Sequence, residues 1–304
     1  MAKKDKERIR VGNRSIEVSR LDKVFFPKTG FTKGDVIDYY TEIAPVVVPH
    51  LRGRPLTLKR YPDGVEGNFF YEKRCPPHRP EWINTVKVRR RRDDKDISFC
   101  TLDNKASLVW AANLANLELH VSLARAKDIR RPTSMVFDLD PGAPAYVVDC
   151  AQVALRLRDL FDNIGLDTYC KTSGSKGLQV YVPLNTNVDY DRTRPFANAV
   201  AKELEADDPG YVVSKMKKEL RKGKVFIDWS QNADHKTTVC VYSLRAKPNP
   251  TASTPVTWDE VEHAAAKEKP ELLSFEADEV LRRVDKHGDL FEPVLKQRQR
   301  LREF

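Results

Sequence analysis

Three aspartates set what this chain can do. Asp138 and Asp140 stand in Ser-Met-Val-Phe-Asp-Leu-Asp-Pro-Gly (134–142), and Asp228 follows the apolar run Val-Phe-Ile (225–227). Residues two apart on a strand share a face, so Asp138 and Asp140 would project two carboxylates to one side of a sheet. Carboxylates on apolar strands are costly unless a cation meets them. Oxygen ligands of this kind suit magnesium or manganese, and a pair of such ions can activate a hydroxyl and neutralise a departing pyrophosphate. An Asp-x-Asp alone is also a common turn or cap. The apolar lead-ins on both segments, and the third acid, favour the metal reading.

Between the acidic segments lies Thr-Ser-Gly-Ser-Lys-Gly (172–177). Glycines let the backbone approach closely, amides and hydroxyls can surround an anion, and Lys176 adds a charge for a phosphate. The Walker A pattern is absent, and by itself the segment reads better as a hairpin turn. Its position between the two acidic strands is what points to a nucleotide. Lys59-Arg60 and Arg245 end or follow apolar segments and could neutralise a triphosphate. Phe69-Phe70-Tyr71 beside Lys73 and Arg74 could stack on bases, although alternation puts Phe69 and Tyr71 on one face and Phe70 on the other. Arg89–Arg92 and the dense basic run 215–224 read as phosphate contacts or as solvated turns, and His120 as a phosphate contact or a core histidine.

These residues need a sheet to position them. Met135–Asp140 and Val225–Asp228 read as buried strands, and 168–171 and 178–182 as strands flanking the glycine loop. Residues 145–164 form a long helix, with Pro144 before it and Gly165 as its stop. A second helix covers 192–206. Upstream, 33–44 reads as a helix capped by Thr32 with Asp35 in its first turn. Strands are expected at 55–61, 68–73, 85–90, 97–102 and 118–122, and a helix at 108–117. Helices are expected at 277–287 and in the basic tail from Leu295. The mixture is α/β or α+β. Residues 1–15 read as a flexible basic tail, with 1–10 frayed, and 16–304 as one catalytic domain.

The chain of 304 residues carries a net charge of +9, which favours a polyanionic partner. No window has the length of a membrane span, and no secretory signal opens the sequence, so the expected location is cytoplasmic, associated with the nucleoid, with no membrane partner. Five cysteines are scattered without zinc-site spacing and suit a reducing compartment.

Taken together, Phe137-Asp-Leu-Asp-Pro-Gly, Thr172-Ser-Gly-Ser-Lys-Gly-Leu, Lys222-Gly-Lys-Val-Phe-Ile-Asp-Trp-Ser-Gln-Asn, Tyr242-Ser-Leu-Arg, Leu21-Asp-Lys-Val and Gly53-Arg-Pro-Leu-Thr-Leu-Lys-Arg-Tyr-Pro-Asp-Gly resemble the polymerase domain of bacterial ligase D. That family lies within the archaeo-eukaryotic primase superfamily. The likeness runs collinearly from about residue 16 to the end, and no ligase or phosphoesterase segment is visible, so the chain reads as a free-standing or excised domain. The resemblance implies a primase-polymerase fold, with an RRM-like catalytic sheet packed on a second α/β unit. It implies template-directed nucleotide addition to a primer 3′-hydroxyl at 5′-phosphorylated gaps or ends during non-homologous end joining. Ribonucleotides would be preferred, and two manganese or magnesium ions would be needed.

By that likeness Asp138, Asp140 and Asp228 hold the metals. Lys59, His120, Ser173, Lys176 and Arg245 hold the triphosphate, and Arg221 and Gln231 line the same site. Lys23 and Lys33 grip the downstream 5′-phosphate, Phe70 and Tyr71 stack at the template, and Ku and a DNA ligase are candidate partners. Gln179 departs from the histidine that relatives carry there, and Arg20 stands where a polar amide can occur. Two other functions compete with the polymerase: a DNA-end binding and bridging module with a minor catalytic role, and a replicative primase.

Overall fold

The computed structural model describes residues 6–89 and 95–301. The first half of the chain runs β1 (Lys6–Val11), β2 (Arg14–Ser19), β3 (Val24–Phe26), β4 (Phe31–Thr32), α1 (Lys33–Glu42), α2 (Ala44–Leu51), β5 (Leu56–Arg60), β6 (Phe70–Glu72), β7 (Thr85–Arg89), β8 (Asp96–Cys100), α3 (Lys105–Asn113) and β9 (Asn116–Val121). The second half runs β10 (Ser134–Pro141), α4 (Val147–Asn163), β11 (Tyr169–Thr172), β12 (Leu178–Pro183), α5 (Tyr190–Asp207), β13 (Val212–Val213), β14 (Val225–Asp228), β15 (Thr238–Val239), β16 (Pro255–Val256), α6 (Trp258–Lys267), α7 (Ala277–His287) and α8 (Glu292–Lys296).

The catalytic sheet is built from the second half, in the order β13-β14-β10-β12-β11-β16. Its central four strands and two helices follow one another as β10-α4-β11-β12-α5-β14, with spatial order β14-β10-β12-β11 and antiparallel neighbours. This is the split β-α-β topology that the RRM-like expectation requires. The alternation of β10 explains its place. Met135, Phe137 and Leu139 point to one face and are fully buried, with Phe137 meeting Phe161 of α4 at 5.4 Å between ring centres. Asp138 and Asp140 point to the other face.

The second sheet, β15-β9-β5-β8-β7 with β6 added beside β5, comes mostly from the first half, and only β15 returns to it from the far side. Leu56 and Leu58 are buried on one face of β5, while Thr57 and Lys59 share the opposite face with Glu118 and His120 of β9. Helix α1 begins as expected: the Asp35 N–H donates to the Thr32 hydroxyl at 3.2 Å, and the Thr32 N–H donates to the Asp35 carboxylate at 2.6 Å.

Several expectations are corrected. Residues 6–15, read as part of a flexible tail, instead enter a hairpin in which β1 pairs antiparallel with β2 over six residue pairs. Backbone pairing holds this segment even though its side chains are mostly polar. A separate helix, α2, follows α1 directly, since Pro45 opens a helix here rather than only ending one. The third helix begins at Lys105, capped by Asn104, and stops at Asn113, while α8 ends at Lys296 and residues 297–301 beyond it are not helical. Cys75 and Cys100 form a disulfide, with Cα atoms 4.9 Å apart, against the expectation of dispersed cysteines. The Cys75 N–H donates to the Ser98 carbonyl, a neighbour that sequence spacing alone does not reveal.

Candidate active site

Antiparallel register sets the acids. Asp138 of β10 lies directly opposite Asp228 of β14, and Asp140 is two residues along the same face. On the other side of β10, Asp138 faces Gln179 of β12, which in turn faces Lys171 of β11. A polar row, Lys171–Gln179–Asp138–Asp228, therefore crosses four strands of an otherwise apolar sheet. Burial pushes the Asp138 carboxyl up from its usual range, and Asp140 and Asp228 add to the shift, against a hydrogen bond from Gln179 and the Lys171 charge. Asp140 is likewise raised, by burial and then by Asp228, and Arg221, Arg245 and Lys176 oppose the shift. Asp228 is held in place: its carboxylate accepts from the Ser230 N–H at 3.0 Å, the Ser230 hydroxyl at 2.6 Å and Gln231 Nε2 at 3.0 Å.

The glycine loop is the hairpin turn between β11 and β12. The Ser173 hydroxyl oxygen accepts from the Ser175 and Gly177 N–H groups, which braces the loop and leaves its proton free to donate. Gly174 takes a positive φ of 64°, and a Cβ there would lie 2.6 Å from the Ala252 backbone and 2.8 Å from the Arg245 side chain. Arg245 in turn donates to the Ser173 carbonyl. Lys176 is exposed at the tip. Arg221 lies over the Phe226 ring, 3.6 Å from its centre, and its carbonyl crowds Gly142, where a Cβ would sit 1.8 Å away.

Across from this sheet, β5 and β9 supply Lys59 and His120. Both converge, with Arg245, on Glu118, a buried acid that the sequence reading missed. Its neighbours are spread over 187 positions of chain (59 to 245), and only the fold gathers them. Burial opposes the Glu118 charge, but the His120 hydrogen bond and the charges of Arg245 and Lys59 hold its carboxyl well below the usual range. Burial also lowers His120, with Glu118 pulling the other way. Lys247 belongs to the same cationic group and was equally hidden: its pKa is depressed by burial and then by Arg245 and Lys176.

Three residues of the set carry buried polar atoms without a hydrogen-bond partner: Arg221 Nε, Arg245 Nε and Gln231 Oε1. Two unspent guanidinium donors and one unspent amide acceptor beside raised carboxyls fit an anionic ligand carrying divalent cations. The acids do not form a closed shell by themselves, for among the described residues no group of three or more His, Cys, Asp or Glu side chains is placed to hold a metal ion. The donor chemistry nevertheless fits hard cations that also draw oxygens from a phosphate chain.

The remaining expected residues lie around this centre. Lys23 and Lys33 come together at the β3–β4 hairpin, where the Lys33 N–H donates to the Lys23 carbonyl. Lys33 is buried, with Nζ donating to Ser19 O (2.6 Å) and Asn113 Oδ1 (2.7 Å). Burial, then Arg20 and Lys23, pushes its pKa down to about 8. Lys23 donates to Pro62 O and Asp63. Phe70 and Tyr71 fall on opposite faces of β6. Tyr71 turns toward His120, 6.2 Å between ring centres, whereas Phe70 pairs with Arg60 at 5.1 Å. Both are largely exposed. Of the four-arginine run, Arg90–Arg92 lie outside the described residues; residues 215–220 of the other basic run are exposed. Beyond His120 the same face opens into a cleft of about 710 Å³, lined in part by Thr57, Lys73, Phe99, Ser122, Arg194 and Lys236.

Comparison with known proteins agrees with this arrangement. Residues 32–291 match the family model described as LigD, primase-polymerase domain. The multifunctional non-homologous end joining protein LigD of Mycolicibacterium smegmatis is 41% identical over 281 residues, which is 92% of this chain and 36% of that protein. The bifunctional LigD of Bacillus subtilis is 31% identical over 274 residues, 90% of this chain and 43% of its own length. The chain thus spans well under half of these curated relatives. The solved polymerase domain from Mycobacterium tuberculosis ligase D, in complex with DNA, superimposes with a TM-score of 0.85 at 39% identity, covering 93% of this chain and 99% of that one. The chain belongs to the LigD primase-polymerase domain family.

Proposed function

We propose that the protein is a template-directed nucleotidyltransferase of DNA repair. It adds nucleotides, ribonucleotides in preference, to a primer 3′-hydroxyl at 5′-phosphorylated gaps or broken ends during non-homologous end joining. The observation that carries this reading is the meeting of Asp138, Asp140 and Asp228 on one sheet face, near unspent donors on Arg221 and Arg245 and an unspent amide oxygen on Gln231. The family and the DNA complex of the mycobacterial relative support it.

Asp138, Asp140 and Asp228 would hold two manganese or magnesium ions. When bound, such ions lower the pKa of an attacking hydroxyl and offset charge on the transferring phosphate. The chain's own part is to position. Lys176, the Ser173 hydroxyl and the loop amides grip phosphate oxygens, while Arg245, Lys59 and neutral His120 offset charge on the departing pyrophosphate. Gln231 fixes Asp228 through one amide atom and keeps the other for the substrate. Lys23 and Lys33, mutually repelling and joined by Arg20, would take the downstream 5′-phosphate. The cleft beside Thr57 and Lys236 offers a path for a strand, and Tyr71 a surface for a base. Ku and a separate ligase complete the proposed pathway.

The test is primer extension by Asp138→Ala combined with Asp140→Ala on a gapped, 5′-phosphorylated duplex, with NTPs and dNTPs compared in the wild type. Loss on the order of 1000-fold is expected. Extension by the double variant at the parental rate would end the reading, and equal use of the two sugar types would end its ribonucleotide clause.

A further inference from the structure

Glu118 sits where an acid should weaken an anion site. It is 2% exposed, with Oε2 2.9 Å from His120 Nε2 and 3.3 Å from Arg245 Nε, and Oε1 3.2 Å from Lys59 Nζ. Oε1 also accepts from the Tyr61 hydroxyl at 3.1 Å and from the Ala246 N–H at 3.1 Å. These partners come from β5, the residue just past it, β9 itself and the segment after β15. A carboxylate here repels a phosphate chain and competes with it for the same cations. Such a cost needs a return.

The contacts divide into two kinds. His120, Tyr61 and the Ala246 amide make directed hydrogen bonds that fix the carboxylate. Arg245 Nε lies at ion-pair distance but out of hydrogen-bond alignment, and Lys59 Nζ, which donates to Oε1 at 3.2 Å, also sits over the rings of Phe69 and Tyr71, at 4.6 and 5.6 Å. Arg245, held through one terminal nitrogen by the Ser173 carbonyl, therefore keeps Nε for another acceptor, and Lys59 keeps the ammonium donors that Glu118 does not use.

We propose that Glu118 is a positioning residue of the nucleotide site: a fixed internal anion that holds Lys59, His120 and Arg245 converged before substrate arrives and shares them with the triphosphate afterwards. The inference rests on the nucleotide-addition reading. Glu118 touches no reacting atom and acts through the three side chains it aligns. It exchanges ground-state affinity for alignment, so that the cations need no reorganisation as charge builds on the leaving group. One negative charge removed within a few ångströms of a polyanion should tighten binding about tenfold. Cations no longer aligned should slow the step they assist by about thirty-fold.

The experiment compares wild type, Glu118→Gln and Glu118→Asp by thermal unfolding, by calorimetric binding of inorganic triphosphate without metal, and by extension of a gapped duplex at saturating NTP. Glu118→Gln is expected to bind triphosphate about tenfold more tightly yet extend about thirty-fold more slowly. Glu118→Asp keeps the charge but withdraws it by one methylene, so it should bind triphosphate like the parent and still extend slowly. A merely structural role moves unfolding, affinity and rate in the same unfavourable direction. That pattern, or weaker or unchanged triphosphate binding by a folded Glu118→Gln, overturns the proposal. If Glu118→Gln does not fold, Glu118→Asp decides alone, and extension at the parental rate overturns it. A wild type that extends no primer, yet binds triphosphate less tightly than Glu118→Gln, refutes nucleotide addition and still supports Glu118 as the organiser of an anion site.

Discussion

Lys171 is a fully buried lysine in the polar row that ends at the acids, and its replacement by methionine should make the protein more stable and less active. Its Nζ donates to the Ser253 hydroxyl oxygen at 2.6 Å, and its exposure is zero. Burial pushes its pKa down from 10.5 to about 7, against the opposing pull of Cys240 and Asp138. In the unfolded chain the ammonium keeps its proton to about pH 10.5, and in the folded chain it loses it near pH 7. Between those values the unfolded state binds one more proton, so this residue makes stability rise with pH. From pH 7 to pH 9 the gain is about 2 kcal/mol, which for a chain of this size moves the midpoint by about 3 °C. Methionine fills a similar volume, carries no proton, and leaves Ser253 satisfied, because its hydroxyl also donates to the Thr172 carbonyl at 2.7 Å.

The assay is chelator-treated wild type and Lys171→Met, unfolded by urea and by heat at pH 7, 8 and 9. Lys33, pushed down to about 8, contributes in the same direction to both proteins, so the difference between them isolates Lys171. The stability advantage of Lys171→Met over wild type should shrink by about 2 kcal/mol between pH 7 and pH 9 and go on shrinking toward pH 10.5. Activity should move the other way. Lys171 is one of two groups that favour the charged form of Asp138, so its loss raises the Asp138 pKa further and shifts the acid limb of the pH–rate profile upward. Parallel pH dependences in the two proteins, or a variant less stable at pH 7, would refute the reasoning.

Three further outcomes follow from the same geometry. Gly174→Ala places a Cβ against the Ala252 backbone and Arg245 at positive φ, so it should displace the loop and raise the KM for nucleotide about tenfold or more, measured by steady-state extension. Phe137→Ala opens a hole beneath the acid-bearing strand where Phe161 packs, and should cost about 3–5 kcal/mol in urea unfolding; a loss under 1 kcal/mol would mean the aromatic contact does not support β10. Lys23→Ala with Lys33→Met should abolish the preference for a phosphorylated over an unphosphorylated gap in a binding titration, and an unchanged preference would place the phosphate elsewhere.

Much of the catalytic sheet was legible because local signals agreed there. The strand around Asp138 and Asp140 is apolar on both sides of each acid, β14 spans the segment its hydrophobicity implies, and Gly165 follows the end of α4. The collinear motifs then carried the site residues. What stayed hidden was decided by tertiary partners. Glu118 looks like any acid on a half-buried strand until β5 and the segment bearing Arg245 bring two cations, Lys59 and Arg245, to it. Lys171 gave no signal, since a lysine immediately before a glycine loop reads as exposed. The N-terminal hairpin has little apolar patterning because backbone pairing holds it. Phe70 and Tyr71 stand side by side in sequence, and the pleat separates them, as alternation on a strand demands.

The division of charge between the two sheets explains why the site must be built from both halves of the chain. One sheet carries the acids, whose mutual repulsion and burial raise Asp138 and Asp140 toward the neutral form. The other carries Lys59 and His120, and the connection from it back to the first sheet carries Arg245; all three are drawn together by Glu118. Neither surface is electrostatically at rest alone. On the proposed reading, a nucleotide with divalent cations would present positive charge to the first and negative charge to the second, and so relieve both at once. Lys171 and Glu118 then have matching tasks behind each surface: a buried cation keeps Asp138 ionisable, and a buried anion keeps the phosphate-binding cations aligned. On this reasoning the variants Lys171→Met and Glu118→Gln act on opposite sides of one ligand. Their effects on the rate of extension should exceed the sum of the two single losses only if the sheets move as the nucleotide binds, and should add if the cleft between them is rigid.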